Sequence, residues 1–204
     1  MSGRPLRYAL ARDRLASVLD PGVAQPYAGP TAAVAAVVRD GLHGPEVLFI
    51  ERAAKHGDPW SGQIAFPGGR TDPGDRDSWA TAARETGEEV GFDLSATTPL
   101  GRLTDLEGGP RGTRLKLRVS PHICWFDGER PDLDLNHEVA DVLWVPLEHV
   151  ADPANHVDYA YPPLGSQLWP GVQLDAHRVL WGLTLRMTDD LFRRIGHPLD
   201  ILRD

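Results

Sequence analysis

The sequence predicts a mixed α/β layer fold in one domain, and three observations point there. Its 204 residues suit one ordinary domain with a modest extension, long enough to bury a core without disulfides. Strand-like apolar runs are interspersed with stretches of helical periodicity, the order that builds helices onto a sheet. Finally, 41% hydrophobic against 25% charged residues is a folded composition, without an internal repeat or low-complexity tract.

Leu6, Leu10, Leu15, Val18 and Leu19 recur at mostly helical spacings, up to the stop Asp20-Pro21-Gly22. Tyr27 to Pro30 is linker-like, so residues 1–30 form a helical extension ahead of a core over 31–195. Thr31–Arg39 and Val47–Arg52 read as strands joined by the turn-rich Asp40 to Pro45. Gln63 to Phe66 is a short third strand running into Pro67-Gly68-Gly69. Ser78 to Val90 reads as a helix that stops at Gly91, a favourable C-terminal cap. Leu100–Leu106 and Leu115–Phe126 read as strands around the loop Glu107 to Thr113, and Glu138–Pro146 as another, closed by proline. Asp152 to Gly171, rich in Pro and Tyr, reads as irregular. His177 to Leu185 suits strand or helix, and Thr188 to Ile195 is helical.

With 21 Lys+Arg against 29 Asp+Glu the net charge is −8, which disfavours bulk electrostatic binding to nucleic acid or an anionic membrane. A small phosphorylated substrate stays open, because it needs only a few local cations or a metal ion. The single cysteine, Cys124, excludes a disulfide framework and a multi-cysteine zinc site; set in Ile123-Cys-Trp-Phe, it reads as inert core. No apolar run approaches the roughly 20 residues of a membrane span, and Met1–Asp20 lacks a signal-peptide core. The expectation is a cytoplasmic protein. Neither a Gly-x-Ser-x-Gly elbow, a P-loop lysine motif nor His-Glu-x-x-His is present.

The densest chemical signal is Arg84-Glu85-Thr86-Gly87-Glu88-Glu89-Val90-Gly91-Phe92. On a helix Glu85, Glu88 and Glu89 sit at i, i+3 and i+4, so three mutually repelling carboxylates share one face. A hard divalent cation would turn that liability into a site, while an isolated pattern of this kind also suits a solvated acidic face. Ahead of it, Phe66-Pro67-Gly68-Gly69-Arg70-Thr71-Asp72-Pro73-Gly74-Asp75 lets the backbone turn sharply and approach a ligand. Together these segments resemble the Nudix hydrolase signature, matched at Gly69, Arg84, Glu85, Glu88, Glu89, Gly91 and Phe92. The spacing from Gly69 to Arg84 is one residue longer than usual, Asp75 stands where a glutamate is expected, and Thr86 replaces an aliphatic residue.

The resemblance implies an α/β/α sandwich around a mixed β-sheet. It also implies a Mg²⁺- or Mn²⁺-dependent attack of water on a pyrophosphate, the cation neutralising phosphate charge and activating water. Carried over by position, Glu85 and Glu89 are the main metal ligands, Glu88 a further ligand or base, and the Gly69 carbonyl a backbone ligand. Arg84 orients the carboxylates. Glu138, in Asn136-His137-Glu138-Val139, is the candidate for a base beyond the signature, or else a strand-end surface glutamate.

Leu48-Phe49-Ile50-Glu51-Arg52-Ala53, Gly62 to Gly69, Thr81 to Thr86 and Leu180-Trp181-Gly182-Leu183-Thr184 resemble the coenzyme A pyrophosphatase branch. That branch implies cleavage of coenzyme A to 3′,5′-ADP and 4′-phosphopantetheine. An arginine expected between Arg52 and Gly62 is missing; Lys55 or His56 offers a cation there, as a point charge or titrating group rather than a fork. Arg52 and Arg70 flank the Gly-Gly turn as phosphate neighbours, and Trp60, Tyr159, Tyr161 and Trp169 are able to stack on a base. The alternatives are another nucleoside diphosphate derivative (ADP-ribose, NADH or an oxidised nucleotide) and a non-catalytic nucleotide sensor. The sequence leaves the oligomeric state open.

Overall fold

The apolar run Ala32-Ala33-Val34-Ala35-Ala36-Val37-Val38 explains the architecture, because both faces of the strand that carries it are covered. In the computed structural model, which describes residues 6–22, 29, 31–56, 60–108, 117–162 and 165–202, that strand is β1 (Thr31–Gly41). It pairs antiparallel with β2 (Gly44–Arg52) and parallel with β7 (Leu117–Phe126). The sheet runs β3 (Ile64–Ala65), β2, β1, β7 and β5 (Thr98–Arg102). In addition β4 (Gly68–Arg70) joins β1, β6 (Leu106–Gly108) joins β7, and β8 (Val139–Pro146) joins β2.

Alternation along β1 divides the core in two. Ala33, Ala35 and Val37 pack with Ala82 and Val90 of helix α3 (Ser78–Val90). Ala32, Val34, Ala36 and Val38 belong to the opposite core, with Leu185, Leu191 and Phe192 of the last long helix (Gly182–Arg194). Leu10, Leu15 and Leu19, from the segment bearing α1 (Leu6–Ala9) and α2 (Arg12–Val18), join that second core, as do Leu147 and Val150 of α4 (Leu147–Ala151). The result is a mixed sheet between helices, an α/β/α arrangement. Each fully buried Leu or Val contributes about 2 kcal/mol of transfer free energy, and a one-residue slip of β1 would exchange its two faces.

Helix α3 has the bounds its sequence predicts. Asp77 caps it by accepting the Ala80 N–H at 2.8 Å, and Gly91 ends it in the left-handed region (φ 68°), donating its N–H to the Gly87 carbonyl at 3.1 Å. At its start, Ser78 shares a 2.9 Å hydrogen bond with His122 of β7, whose ring meets Trp79 edge to face.

Several expectations change. The periodic segment Leu6–Leu19 is two short helices broken at Leu10–Ala11. Strands β1 and β2 continue through Asp40–Pro45 to a tight turn at Leu42-His43. The Gly-Gly pair, expected as a turn, is strand β4, and the expected strand Leu100–Leu106 divides between β5 and β6. The stretch Asp152–Gly171 is not irregular: β9 (His156–Ala160) and β10 (Leu168–Gln173) pair with β11 (Val179–Trp181) in a second, antiparallel sheet. Its Pro and Tyr content hid this, since Pro170 occupies the middle strand of three. The ambiguous His177–Leu185 resolves into β11 followed without a gap by α5 (Gly182–Arg194), longer than the Thr188–Ile195 expected. Tyr27, Ala28 and Pro30 of the linker, Gly57 and Asp58, and residues 109–116 beyond Gly108 lie outside the described residues.

Candidate active site

Strand β4 and helix α3 are fastened together by the chemistry expected of a site. The Gly68 N–H donates to Glu89 Oε2 at 2.8 Å. Gly68 has φ 148°, and a Cβ there would overlap the backbone of Ala33 and Val34; a Cβ on Gly69 would overlap the Glu85 carboxylate. Two successive glycines are therefore what lets β1, β4 and α3 approach so closely. Thr81 and Thr86 are buried on the inner side of α3, and the Thr86 hydroxyl has no partner among the described residues.

Arg84 braces the outer side. Its Nε and Nη2 meet Asp75 at 3.0 and 2.9 Å, its Nη1 meets Glu85 at 2.9 Å and Glu88 at 3.3 Å, and Nη2 also donates to the Arg70 carbonyl at 2.9 Å. These bonds hold the Asp75 carboxyl well below the usual range, helped by the Asp72 N–H and the Thr81 hydroxyl. Asp75, shorter than the glutamate of the signature, still receives the full guanidinium fork.

Glu89 is 2% exposed. Burial pushes its carboxyl up to about 7, against the opposing pull of the Gly68 N–H and of Arg52, whose Nη1 lies 3.9 Å from Glu89 Oε1. Burial also raises the Glu85 carboxyl, and the negative charge of Glu138 adds to both shifts. The Lys55 ammonium lies 3.9 Å from Glu138 Oε1.

A cleft of about 1170 Å³ collects these groups. Arg52, Lys55, Gly69, Arg70, Glu85, Glu89 and Glu138 all line it, so seven of the nine candidate residues come together. Arg84 and Glu88 do not line it; Glu88 is largely exposed beside Arg84. Of the four aromatic residues named from the sequence, Trp60, Tyr161 and Trp169 line the cleft and Tyr159 does not; Trp181 is not among them. Tyr161, just beyond β9, and Trp169 of β10 are joined in that lining by Trp181 and the first residues of α5. The Tyr161 and Trp181 rings meet at a tilt, 4.7 Å between centroids, with Trp169 at 6.2 Å from Trp181. For Trp181 the signal in the sequence is the Leu180–Thr184 resemblance.

Whether a cation suits these residues is a question of donors. Among the described residues no group of three or more His, Cys, Asp or Glu is gathered tightly enough to enclose an ion. Glu85, Glu89 and Glu138 nevertheless share one cleft, repel one another and are partly desolvated, with the backbone of Gly69 beside Glu85. An all-oxygen, electron-rich donor set of this kind fits a hard divalent cation.

Comparison with known proteins agrees with the geometry. The NUDIX domain family matches residues 29–164, about two-thirds of the chain. The uncharacterized Nudix hydrolase NudL of Yersinia pestis (strain Pestoides F) is 28% identical over 171 residues, covering 83% of each chain. The crystal structure of a C. elegans Ap4A hydrolase binary complex superposes with a TM-score of 0.50 at 25% identity, covering 67% of this chain and 90% of that one. A MutT/nudix family protein from Enterococcus faecalis shares the fold with a TM-score of 0.54 at 18% identity, covering 89% of this chain and 69% of that one. Among the described residues no helix is long and apolar enough to cross a membrane. Members of this family generally need a divalent metal ion, which suits the carboxylates around the cleft. With its glycine pair, braced acidic helix and a family match over most of its length, the chain belongs to the Nudix family and is a pyrophosphohydrolase.

Proposed function

We propose that the protein hydrolyses the diphosphate of coenzyme A, or of an acyl-coenzyme A, to 3′,5′-ADP and the corresponding 4′-phosphopantetheine. One observation carries this reading. The two segments that resemble the coenzyme A pyrophosphatase branch, around Arg52–Gly69 and Trp181–Thr184, lie far apart in the chain yet line the same cleft as Glu85 and Glu89. The cleft joins a charged end to a large aromatic and apolar surface, as a substrate with a diphosphate, a base and a long arm requires.

Glu85, Glu89 and the Gly69 carbonyl would hold Mg²⁺ or Mn²⁺, which supplies neutralisation of diphosphate charge and activation of water. Arg84 keeps Glu85 in place from behind. Arg52 and Arg70 meet phosphate oxygens. A water oxygen bonds to one phosphorus as the bridging P–O bond breaks, leaving two phosphate monoesters. Glu138 takes the proton of that water; unlike Glu88, it lines the cleft. Lys55, beside Glu138, adds a cation to that end of the cleft.

A second reading, another nucleoside diphosphate derivative such as ADP-ribose or NADH, draws on the missing arginine between Arg52 and Gly62. Lys55, 70% exposed and 3.9 Å from Glu138, is no bidentate substitute. The deciding experiment offers coenzyme A, dephospho-coenzyme A, ADP-ribose and NADH side by side with Mg²⁺ or Mn²⁺ and identifies products by mass. Dominant 3′,5′-ADP and phosphopantetheine support the proposal. Faster cleavage of ADP-ribose or NADH replaces the substrate, and no cleavage of any of the four favours a nucleotide sensor.

A further inference from the structure

We propose that the start of α5 is an anion subsite, receiving a phosphate monoester that the substrate carries apart from its diphosphate. In coenzyme A that group is the 3′-phosphate, so this inference rests on the proposed function and deepens it.

Gly182 sets the direction of the helix. Its φ of 64° turns β11 straight into α5, so the helix begins at the cleft, where Gly182, Leu183, Thr184, Leu185 and Arg186 all contribute to the lining. The first amides of a helix have no intrahelical acceptor, and here no side chain replaces one. Trp181 precedes the helix in extended conformation without a capping hydrogen bond, and the first turn holds no acid. Amides of this kind, with the positive end of the helix dipole, are suited to phosphate oxygens.

Thr184 supplies the independent observation. It is only 6% exposed, it lines the cleft, and its hydroxyl has no hydrogen-bond partner among the described residues. Unlike the Thr86 hydroxyl, this one is not fully sequestered, so a ligand oxygen arriving from the cleft would replace water as its partner. Two residues on, Arg186 is exposed on the same lining and has no ion-pair partner among the described residues. A cation so near a helix start is unfavourable by itself and becomes favourable once an anion sits between the two. Glu107 also lines this end, beside Gly108 and Leu183, but it is exposed and already has a partner.

Amides, a hydroxyl and a guanidinium are a donor set for a phosphate monoester, which is nearly dianionic at neutral pH. Tyr161, Trp169 and Trp181 beside them offer ring faces to the base of the same nucleotide. This assignment places the reading of the extra phosphate on α5 rather than on the segment Arg52–Gly62 that lacks the expected arginine. It also lies beyond residue 164, where the family match ends.

The test is equilibrium binding of 3′,5′-ADP and of 5′-AMP by calorimetry, in chelator and phosphate-free buffer, with the intact protein. Wild type should prefer 3′,5′-ADP by about tenfold or more, the discrimination that one charge-assisted contact supplies. Thr184→Val and Arg186→Gln should each reduce that ratio several-fold, and the double variant should bring it near unity. Thr184→Ser, which restores the hydroxyl, should retain it. In the hydrolysis assay the same variants should raise KM for coenzyme A more than for dephospho-coenzyme A. A wild-type ratio near unity would overturn the inference, as would variants that weaken both nucleotides equally or leave the ratio intact. Failure of the proposed function looks different: wild type with metal cleaves neither coenzyme A nor its dephospho form, whatever the metal-free ratio.

Discussion

Replacing His122 with Gln should change how stability depends on pH, and the size of the change follows from where the ring sits. His122 is 5% exposed in β7, against Ser78 and Trp79 at the start of α3. Burial, assisted by the charge of Arg102, holds its imidazole down at about 4, while Asp77 and Asp105 pull weakly the other way. In the unfolded chain the ring protonates near 6.5. Between about pH 6.5 and 4 the unfolded state therefore binds the extra proton, so this contribution is complete above 6.5 and lost as pH falls to 4. The gap corresponds to roughly 3 kcal/mol, at 1.36 kcal/mol for each tenfold change in proton affinity. Glu89 acts with the opposite sign, since a carboxyl pushed up to about 7 lets the folded state bind the extra proton as pH falls from 7 to 4.5. The two nearly cancel in wild type, so the informative quantity is the difference between wild type and His122→Gln. Urea unfolding at closely spaced pH values should show the two curves converging by about 3 kcal/mol between pH 7 and pH 4. Curves that stay parallel across that range would refute a buried, neutral His122.

Other substitutions probe the site itself. Glu89→Gln should cut turnover by orders of magnitude while the melting temperature at pH 8 is no lower than wild type, because a desolvated charge is removed and the Gly68 N–H keeps an acceptor. A large loss of melting temperature would show that Glu89 is structural instead. Arg84→Lys should lower kcat by about 10- to 100-fold with little change in far-UV circular dichroism, since an ammonium cannot make the paired bonds to Asp75 and still reach Glu85. Near-normal kcat would show that Glu85 needs no brace. Gly69→Ala should displace the Glu85 carboxylate and reduce kcat with only a modest cost in urea midpoint; normal kinetics would mean that the carboxylate has room to move.

Local features of the chain proved readable, and assembled ones did not. The bounds of α3 follow from Asp77 and Gly91, both acting within one turn of the helix ends. The shared face of Glu85 and Glu89 follows from i,i+4 spacing alone, although Glu88, at i+3, turns out beside Arg84 and away from the cleft. A helix face is about 100° wide, and spacing cannot say which edge of it meets solvent. Strand β4 escaped notice because glycine carries no strand signal; only its pairing with Ala32–Val34 makes it extended. Tyr161 and Trp169 are legible singly as stacking residues, but the wall is not, because they and Trp181 come from three segments that only sheet pairing gathers, one of them carrying Pro170.

The brace between α3 and β4 also determines what the loop over residues 71–77 is free to do. Arg70 is tied to Arg84 through its carbonyl, Asp75 to the same guanidinium, and Asp77 to the first turn of α3. Alignment of the acids with the glycines is thus maintained by cross-links rather than by counting residues along the backbone. The exposed turn Thr71–Gly74 is the part of that loop with room for the additional residue between Gly69 and Arg84. Loop closure grows only logarithmically with length, at about 0.6 kcal/mol per doubling. The turn is itself closed by bonds among Asp72, Gly74 and Asp75, so a peptide spliced in at Pro73-Gly74 would spare the chemistry only while Asp75 still reaches the Arg84 guanidinium.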